Sequence, residues 1–213
     1  MLITRAQASH YQTLAKLLFL SGPDNLMSLL TGHHTALSLS EKQKICLDFL
    51  ETALQIPEGQ FGFLNQTVAI QDGLLCGCVS YWQAPITDLF KQQTLASLIV
   101  HFGPLETAAI LNNSEDLSYL VKAPTFHDLC IGHLAVEPSS RRQGIATSLL
   151  EHCSETATKL GKTKLVLDVM AENQAAIQAY VKFGFVQKST SHPSEKGTNL
   201  GFLPHVHMQK TLV

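Results

Sequence analysis

Arginine is scarce in this chain. Among 213 residues there are three, Arg5, Arg141 and Arg142, and two of them are adjacent. Charged residues make up 15% and the net charge is −2, so there is no broad basic field of the kind that draws nucleic acid. Long apolar runs are missing too. Stretches such as residues 17–20 fall far short of the roughly 20 residues that cross a bilayer, so no membrane partner is expected. The start of the sequence lacks a basic segment, an apolar core and a small-residue cleavage site, so no signal peptide is read there. The cysteines Cys46, Cys76, Cys78, Cys130 and Cys153 are odd in number and too few for a disulfide scaffold. They read as reduced thiols, and the expected compartment is cytoplasmic. What the chain does have is 45% hydrophobic residues, enough for one full core. Residues 1–213 are therefore expected to form a single domain, with no internal repeat.

The apolar pattern gives a coarse element order. Residues 2–5 read as a strand, residues 8–20 and 24–30 as helices, with Ser21-Gly22-Pro23 as the break between them. Ser40 and Gln43 resemble a capping box, and the helix after them is expected to bury Ile45, Phe49 and Leu54 before Pro57 ends it. Residues 67–70 and 74–82 flank Asp72-Gly73, a favoured two-residue hairpin turn. Residues 84–122 carry little strand signal and are read as a helical insertion of two or three helical stretches, around 87–101, 104–112 and 115–121. Then come a strand (127–136), a helix (143–160) with Leu149, Cys153, Thr156, Ala157 and Leu160 on one stripe, a buried strand (164–170) and a helix (173–183) closed by Gly184. Residues 185–190 and 204–210 read as a closing strand pair.

One junction carries chemistry. The segment from Leu134, Ala135 and Val136 through Glu137-Pro138-Ser139-Ser140 to Arg141, Arg142, Gln143, Gly144, Ile145, Ala146 and Thr147 runs strand, polar loop, helix. The first N–H groups of a helix have no internal partners, and with the helix dipole they favour anions. Gly144 removes a side chain that would hold a phosphate away, and the two arginines add charged donors. The segment reads as a pyrophosphate cradle. It lacks the Gly-Lys-Ser/Thr of a Walker loop and the three-glycine spacing of a dinucleotide site. Strand–loop–helix turns with one glycine also occur without any ligand. On the later helix, Asn173 and Tyr180 are seven residues apart, about two turns and about 10 Å, and so share a face. Asn173 can cap its helix and reach an amide-bearing ligand. The bland reading of Tyr180 is a core tyrosine whose hydroxyl meets a backbone partner.

Taken together the two segments resemble the GNAT acetyltransferase superfamily. The family pattern Arg/Gln-x-x-Gly-x-Gly/Ala is matched by Arg141, Gly144 and Ala146. The later strand–Asn–helix–Tyr–Gly-Phe pattern is matched by residues 165–169, Asn173, Tyr180, Gly184 and Phe185. The close resemblance covers residues 127–186. It implies an α+β fold with a mixed, V-shaped sheet of about seven strands flanked by helices. It also implies acetyl-CoA as cosubstrate, with no metal. Pantetheine would lie between strands 127–136 and 164–170 and pair with the backbone of Leu134, Ala135 and Val136. The pyrophosphate would meet residues 142–147, Asn173 would contact the pantetheine arm, and Tyr180 would serve the leaving sulfur.

The implied activity is acetyl transfer to a primary amine of a small molecule or peptide. For the base, Asp168, Glu172, His133 or a water chain are open, with Asp168 placed where some family members carry a carboxylate; His133 reads rather as a satisfied core histidine. Alternatives are an acetyl-CoA sensor without turnover and a protein N-terminal acetyltransferase. A toxin-like enzyme acting on aminoacyl-tRNA would want a basic face that the chain lacks. Association into a homodimer is left open. The pairs His205/His207 and Cys76/Cys78, each expected on one face of a strand, supply too few ligands for a metal and read as ordinary packing; His33-His34 reads as a loop pair.

Overall fold

The computed structural model describes residues 1–212. It contains a seven-stranded mixed sheet with helices on both faces. The strands are β1 (Leu2–Arg5), β2 (Gln66–Gln71), β3 (Leu74–Gln83), β4 (Asp128–Val136), β5 (Lys164–Met170), β6 (Val186–Ser191) and β7 (His205–Thr211). Their order is β1-β2-β3-β4-β5-β7-β6. Only β4 and β5 are parallel, and they pair solely over Asp128↔Lys164, Leu129↔Leu165 and Cys130↔Val166. Beyond Cys130 the two strands part, so the sheet opens into the expected V.

The helices are α1 (Tyr11–Ser21), α2 (Pro23–Thr31), α3 (Leu39–Ala53), α4 (Asp88–Ser118), α5 (Ile145–Lys159), α6 (Gln174–Phe183) and α7 (Glu195–Leu200). Strand alternation sends neighbours to opposite cores. Val68 and Cys78 join Leu14, Phe49, Leu50 and Ile110 beneath α1–α4. Ala69 and Val79 join Leu149, Cys153, Leu167 and Phe185 beneath α5 and α6. The β2–β3 turn is the one the sequence indicates: Gln71 faces Leu74 across Asp72 and Gly73, both at positive φ (51° and 77°), as a type I′ turn requires.

Several details differ from the sequence reading. The capping box is Ser38/Glu41, not Ser40/Gln43. Ser38 Oγ accepts from Glu41 N–H, and Glu41 Oε2 accepts from Ser38 N–H at 2.8 Å. The helix thus starts earlier; Phe49 and, at its C-cap, Leu54 are buried as expected, but the rest of the buried stripe is Cys46, Leu50 and Ala53, with Ile45 only half-buried. Residues 8–10 form a 3-10 turn before α1. Leu160 lies past the end of α5 and is 46% exposed. Cys76 and Cys78 fall on opposite faces, one in each core. A bulge in β3, where the register jumps from Ala69↔Gly77 to Ile70↔Leu75, leaves Cys76 as the extra, unpaired residue and turns it to the other face. The helix α7, between the last two strands, was not foreseen. Ser194 caps it by accepting from Gly197 N–H at 2.9 Å, and Ser194 also donates to the buried Asp116 of α4.

The 84–122 segment is helical as expected, and of the two or three stretches read from the sequence it forms two, with one break. Gly103 (φ 76°), just before Pro104, interrupts α4. No break falls near residue 113, because Asn113 is locked into the helix by tertiary bonds to Leu29 O (3.0 Å) and His33 (2.8 Å). The 31-residue α4 is apolar enough to pass for a membrane span by length and composition. Gly103 divides it into halves of about 22 Å each, short of the roughly 30 Å hydrocarbon core.

Candidate active site

A cleft of about 660 Å³ lies in the opening between β4 and β5. It is built where the sheet stops pairing: from Ile131 onward the edge of β4 that faces β5 has no strand partner. The β4 backbone is also bulged here. Register with β3 passes from Cys78↔Ala135 to Ser80↔Gly132, leaving one extra residue in β4, and His133 takes φ 37°. Gly132 is required at this point because a Cβ would come within 2.4 Å of the Trp82 ring.

The α5 N-terminus closes one end of the cleft. Ser148 N–H is the first to find a helical acceptor, Gly144 O at 3.0 Å. The N–H groups of Ile145, Ala146 and Thr147 are therefore without helical partners. Gly144 is left-handed (φ 82°, ψ 0°), and a Cβ built on it meets nothing within 4 Å. Its open side thus faces space large enough for an anion. Arg142 also has positive φ (62°), and the Arg141 Nε–H donates to Val136 O at 3.3 Å, which ties the loop to the end of β4. These features suit a diphosphate.

The structure brings Leu134, Ala135, Val136, Arg141, Arg142, Gly144, Ile145, Ala146, Thr147, Asp168, Asn173 and Tyr180 to this one cleft; Gln143, exposed on the loop, does not line it. Asn173 caps α6, its Oδ1 accepting from Ala176 N–H at 3.1 Å, which leaves its amide N–H groups for other partners. Tyr180 packs its ring edge-on to Phe185 (5.8 Å between centroids), below the Gly184 cap that ends α6. Among the described residues the Tyr180 hydroxyl has no hydrogen-bond partner, yet it is not one of the sealed, unsatisfied polar atoms. It therefore opens to the cleft rather than to a backbone carbonyl. Burial, reinforced by the neighbouring Cys153, pushes the phenol up to about 12. It stays protonated at neutral pH, and full transfer of its proton to a thiolate costs more than a reference phenol would imply.

His133 sits at the bulge, packed against Phe61 and Trp82. Burial pushes its imidazole down to about 4. Nδ1 is 3.3 Å from Ser21 Oγ and Nε2 is 3.3 Å from Gln60 Nε2. A neutral ring that donates to Ser21 and accepts from Gln60 has no lone pair left for a substrate, which fits the core-histidine reading. In the unfolded chain the group returns to its ordinary value near 6.5, so the unfolded state binds the extra proton between about pH 6.5 and 4. Stability is complete above that window and falls as pH drops through it. Urea unfolding of wild type and His133→Gln across the window should show the flatter dependence in the variant; parallel curves would disprove the assignment.

Asp168 lines the cleft with both oxygens engaged, to Lys122 N–H (3.0 Å) and His207 Nδ1 (2.9 Å). Glu172 is exposed and outside the cleft lining. The wall opposite comes from residues that the sequence did not mark as part of this site: Leu20, Ser21, Gly22 and Asn25 at the α1–α2 turn, and His205 on β7. His205 is held at Leu203 O (2.8 Å) and contacts Asn25 Nδ2 (2.6 Å). Only tertiary packing assembles that wall; Gly22-Pro23 reads locally as nothing more than a helix stop.

His33, His34 and Glu106 form the one cluster of three potential metal ligands among the described residues. Both rings meet Glu106 Oε1, at 2.6 and 2.7 Å. Asn113 Nδ2 donates to Leu29 O and also faces His33 Nδ1, so that nitrogen accepts and the His33 proton sits on Nε2, toward Glu106. That tautomer presents no lone pair to an ion. The cluster fastens the α2–α3 loop to α4.

With this geometry in view, comparison with known proteins is decisive at the family level. The acetyltransferase (GNAT) family model matches residues 40–185. The chain belongs to the GNAT acetyltransferase family. Ribosomal protein bS18-alanine N-acetyltransferase of Escherichia coli K12 is 32% identical over 76 residues, which is 36% of this GNAT chain and 51% of that enzyme; the chain thus spans about half the length of the curated relatives it matches. An N-acetyltransferase structure from Staphylococcus aureus Mu50 superposes with TM-score 0.67 at 19% identity, over 98% of this chain and 100% of that one. The yncA structure from Salmonella typhimurium, solved with its cofactor acetyl-CoA, gives TM-score 0.52 at 16% identity, over 100% and 94% of the two chains. These likenesses show the GNAT fold, a mixed seven-stranded sheet flanked by helices.

Proposed function

We propose that the protein transfers an acetyl group from acetyl-CoA to a primary amine by direct aminolysis of the thioester. The observation that carries this is the Tyr180 hydroxyl, unpartnered and facing a cleft whose far end is a free helix N-terminus beside an open Gly144. A sensor that only binds acetyl-CoA has no use for a donor in that place. The acceptor is a small-molecule or peptide amine. The peptide arm gains weight from the Escherichia coli relative, whose name gives a protein alanine as its target.

Acetyl-CoA, when bound, supplies the activated acetyl thioester. The residues suit it as follows. The N–H groups of Ile145, Ala146 and Thr147, with Arg141 and Arg142, hold the diphosphate. The unpaired edge of β4 at Leu134, Ala135 and Val136 would run along the pantetheine arm, and the Asn173 amide would meet it from α6. A backbone N–H of the bulged β4 segment stabilises the carbonyl oxygen as charge builds on it. Tyr180 donates to the departing sulfur, and solvent resupplies the phenol. Asp168, an acidic side chain on the cleft wall, attracts the ammonium form of the acceptor and takes its proton.

A ligand that binds only the folded state raises its stability by mass action. Acetyl-CoA at about 100 times its dissociation constant should therefore add about 2.7 kcal/mol, visible as a raised Tm in a thermal melt. No shift at millimolar coenzyme would defeat the reading.

A further inference from the structure

Among the described residues Asp168 is the one carboxylate that lines the cleft, and two separate parts of the fold converge on it. Its side chain is 5% exposed, on β5 directly opposite His207 of β7. His207 Nδ1 lies 2.9 Å from Oδ1, and the backbone N–H of Lys122, in the segment that leads from α4 to β4, lies 3.0 Å from Oδ2. The Lys122 ammonium donates in turn to Ser189 Oγ at 2.8 Å, on the β6 residue facing His207. A carboxylate only accepts, so the bond to Oδ1 puts the imidazole proton on Nδ1 and leaves Nε2 bare. That second nitrogen has no partner among the described residues and is not among the sealed, unsatisfied atoms, so it reaches solvent.

We infer that His207 is a positioning residue for acetyl transfer: with the Lys122 N–H it clamps the Asp168 carboxylate, so that the remaining lone pairs face the acceptor amine. A carboxylate offers about four acceptor sites, and the clamp uses two. A buried charge is tolerated only when it is hydrogen-bonded, and these two N–H donors meet that need while fixing the rotamer. The second donor also gives the 84–122 segment a part in the site, since the exit of α4 delivers it. The inference rests on the acetyl-transfer reading above.

Three variants and one spectrum test it. Thiol release from acetyl-CoA is followed with an amine that wild type accepts, drawn from a panel of alanine-initiated peptides and polyamines. His207→Ala should lower kcat on the order of tenfold to a hundredfold, as expected when a reacting group is misplaced by about 1 Å, with the KM for acetyl-CoA unchanged. His207→Asn, which offers an amide N–H where Nδ1 stood, should restore most of that rate. Nitrogen-15 NMR of the His207 ring should show the proton on Nδ1, and Asp168→Ala should release it to Nε2. A wild-type kcat in His207→Ala, with only a lower Tm, would overturn the clamp. So would a His207→Asn as slow as His207→Ala, or a wild-type ring protonated on Nε2. If wild type releases no thiol with any amine, the acetyl-transfer reading fails instead, and the ring tautomer alone decides whether the clamp exists.

Discussion

Tyr180→Phe keeps the ring in its place against Phe185 and lowers turnover by about a hundred- to ten-thousandfold, the range of a lost general acid. Affinity for acetyl-CoA stays close to wild type, because the phenyl ring still fills the same space. Folding stability barely changes, since the hydroxyl makes no bond within the protein that the substitution breaks. A tyrosine with only a packing role gives the opposite pattern: an intact rate and a stability loss of about 0.5–1.5 kcal/mol from one hydrogen bond. Steady-state kinetics with any accepted amine and a urea melt on the same preparation separate the two. The hydroxyl is needed as the thiolate forms and not for binding, so kcat should fall with the KM for acetyl-CoA preserved.

Gly144→Asp should weaken acetyl-CoA binding on the order of a hundredfold, because it sets a like charge against the diphosphate. Part of any effect on folding comes from the backbone: at φ 82° a side chain costs about 1–2 kcal/mol whatever the space around it. Gly144→Ala carries that strain without the charge and serves as the reference. Calorimetric titration of the two should therefore differ, with Asp much the weaker. Equal affinities, both within twofold of wild type, would mean the cradle lies elsewhere.

The open α5 N-terminus at Gly144 and the shared face of Asn173 and Tyr180 were legible in the sequence because each is local. A helix N-terminus with a left-handed glycine, and two residues seven apart on one helix, are set by neighbours along the chain. The type I′ hairpin at Asp72-Gly73 was legible for the same reason. What escaped was whatever depends on register or on distant contacts. The β3 bulge, which sends Cys76 and Cys78 to opposite cores, leaves no mark in alternation alone. Asn113 inside α4 looks like a breaker until Leu29 and His33 hold it. The wall formed by Ser21, Asn25 and His205 joins residues some 180 positions apart. His207 was read only as half of an imidazole pair, since its bond to Asp168 requires β7 to slot between β5 and β6 against chain order.

The most direct test of the whole account is product formation. Purified protein is mixed with acetyl-CoA and the panel of alanine-initiated peptides, polyamines and other small primary amines, and both the released thiol and the acceptor's mass are followed. Stoichiometric thiol release is expected with at least one amine, with an acetyl group on that amine's nitrogen, and neither in Tyr180→Phe beyond the residual rate. Binding of acetyl-CoA with no acetylated amine from any member of the panel would contradict it, and would leave a cleft that holds the coenzyme without using it.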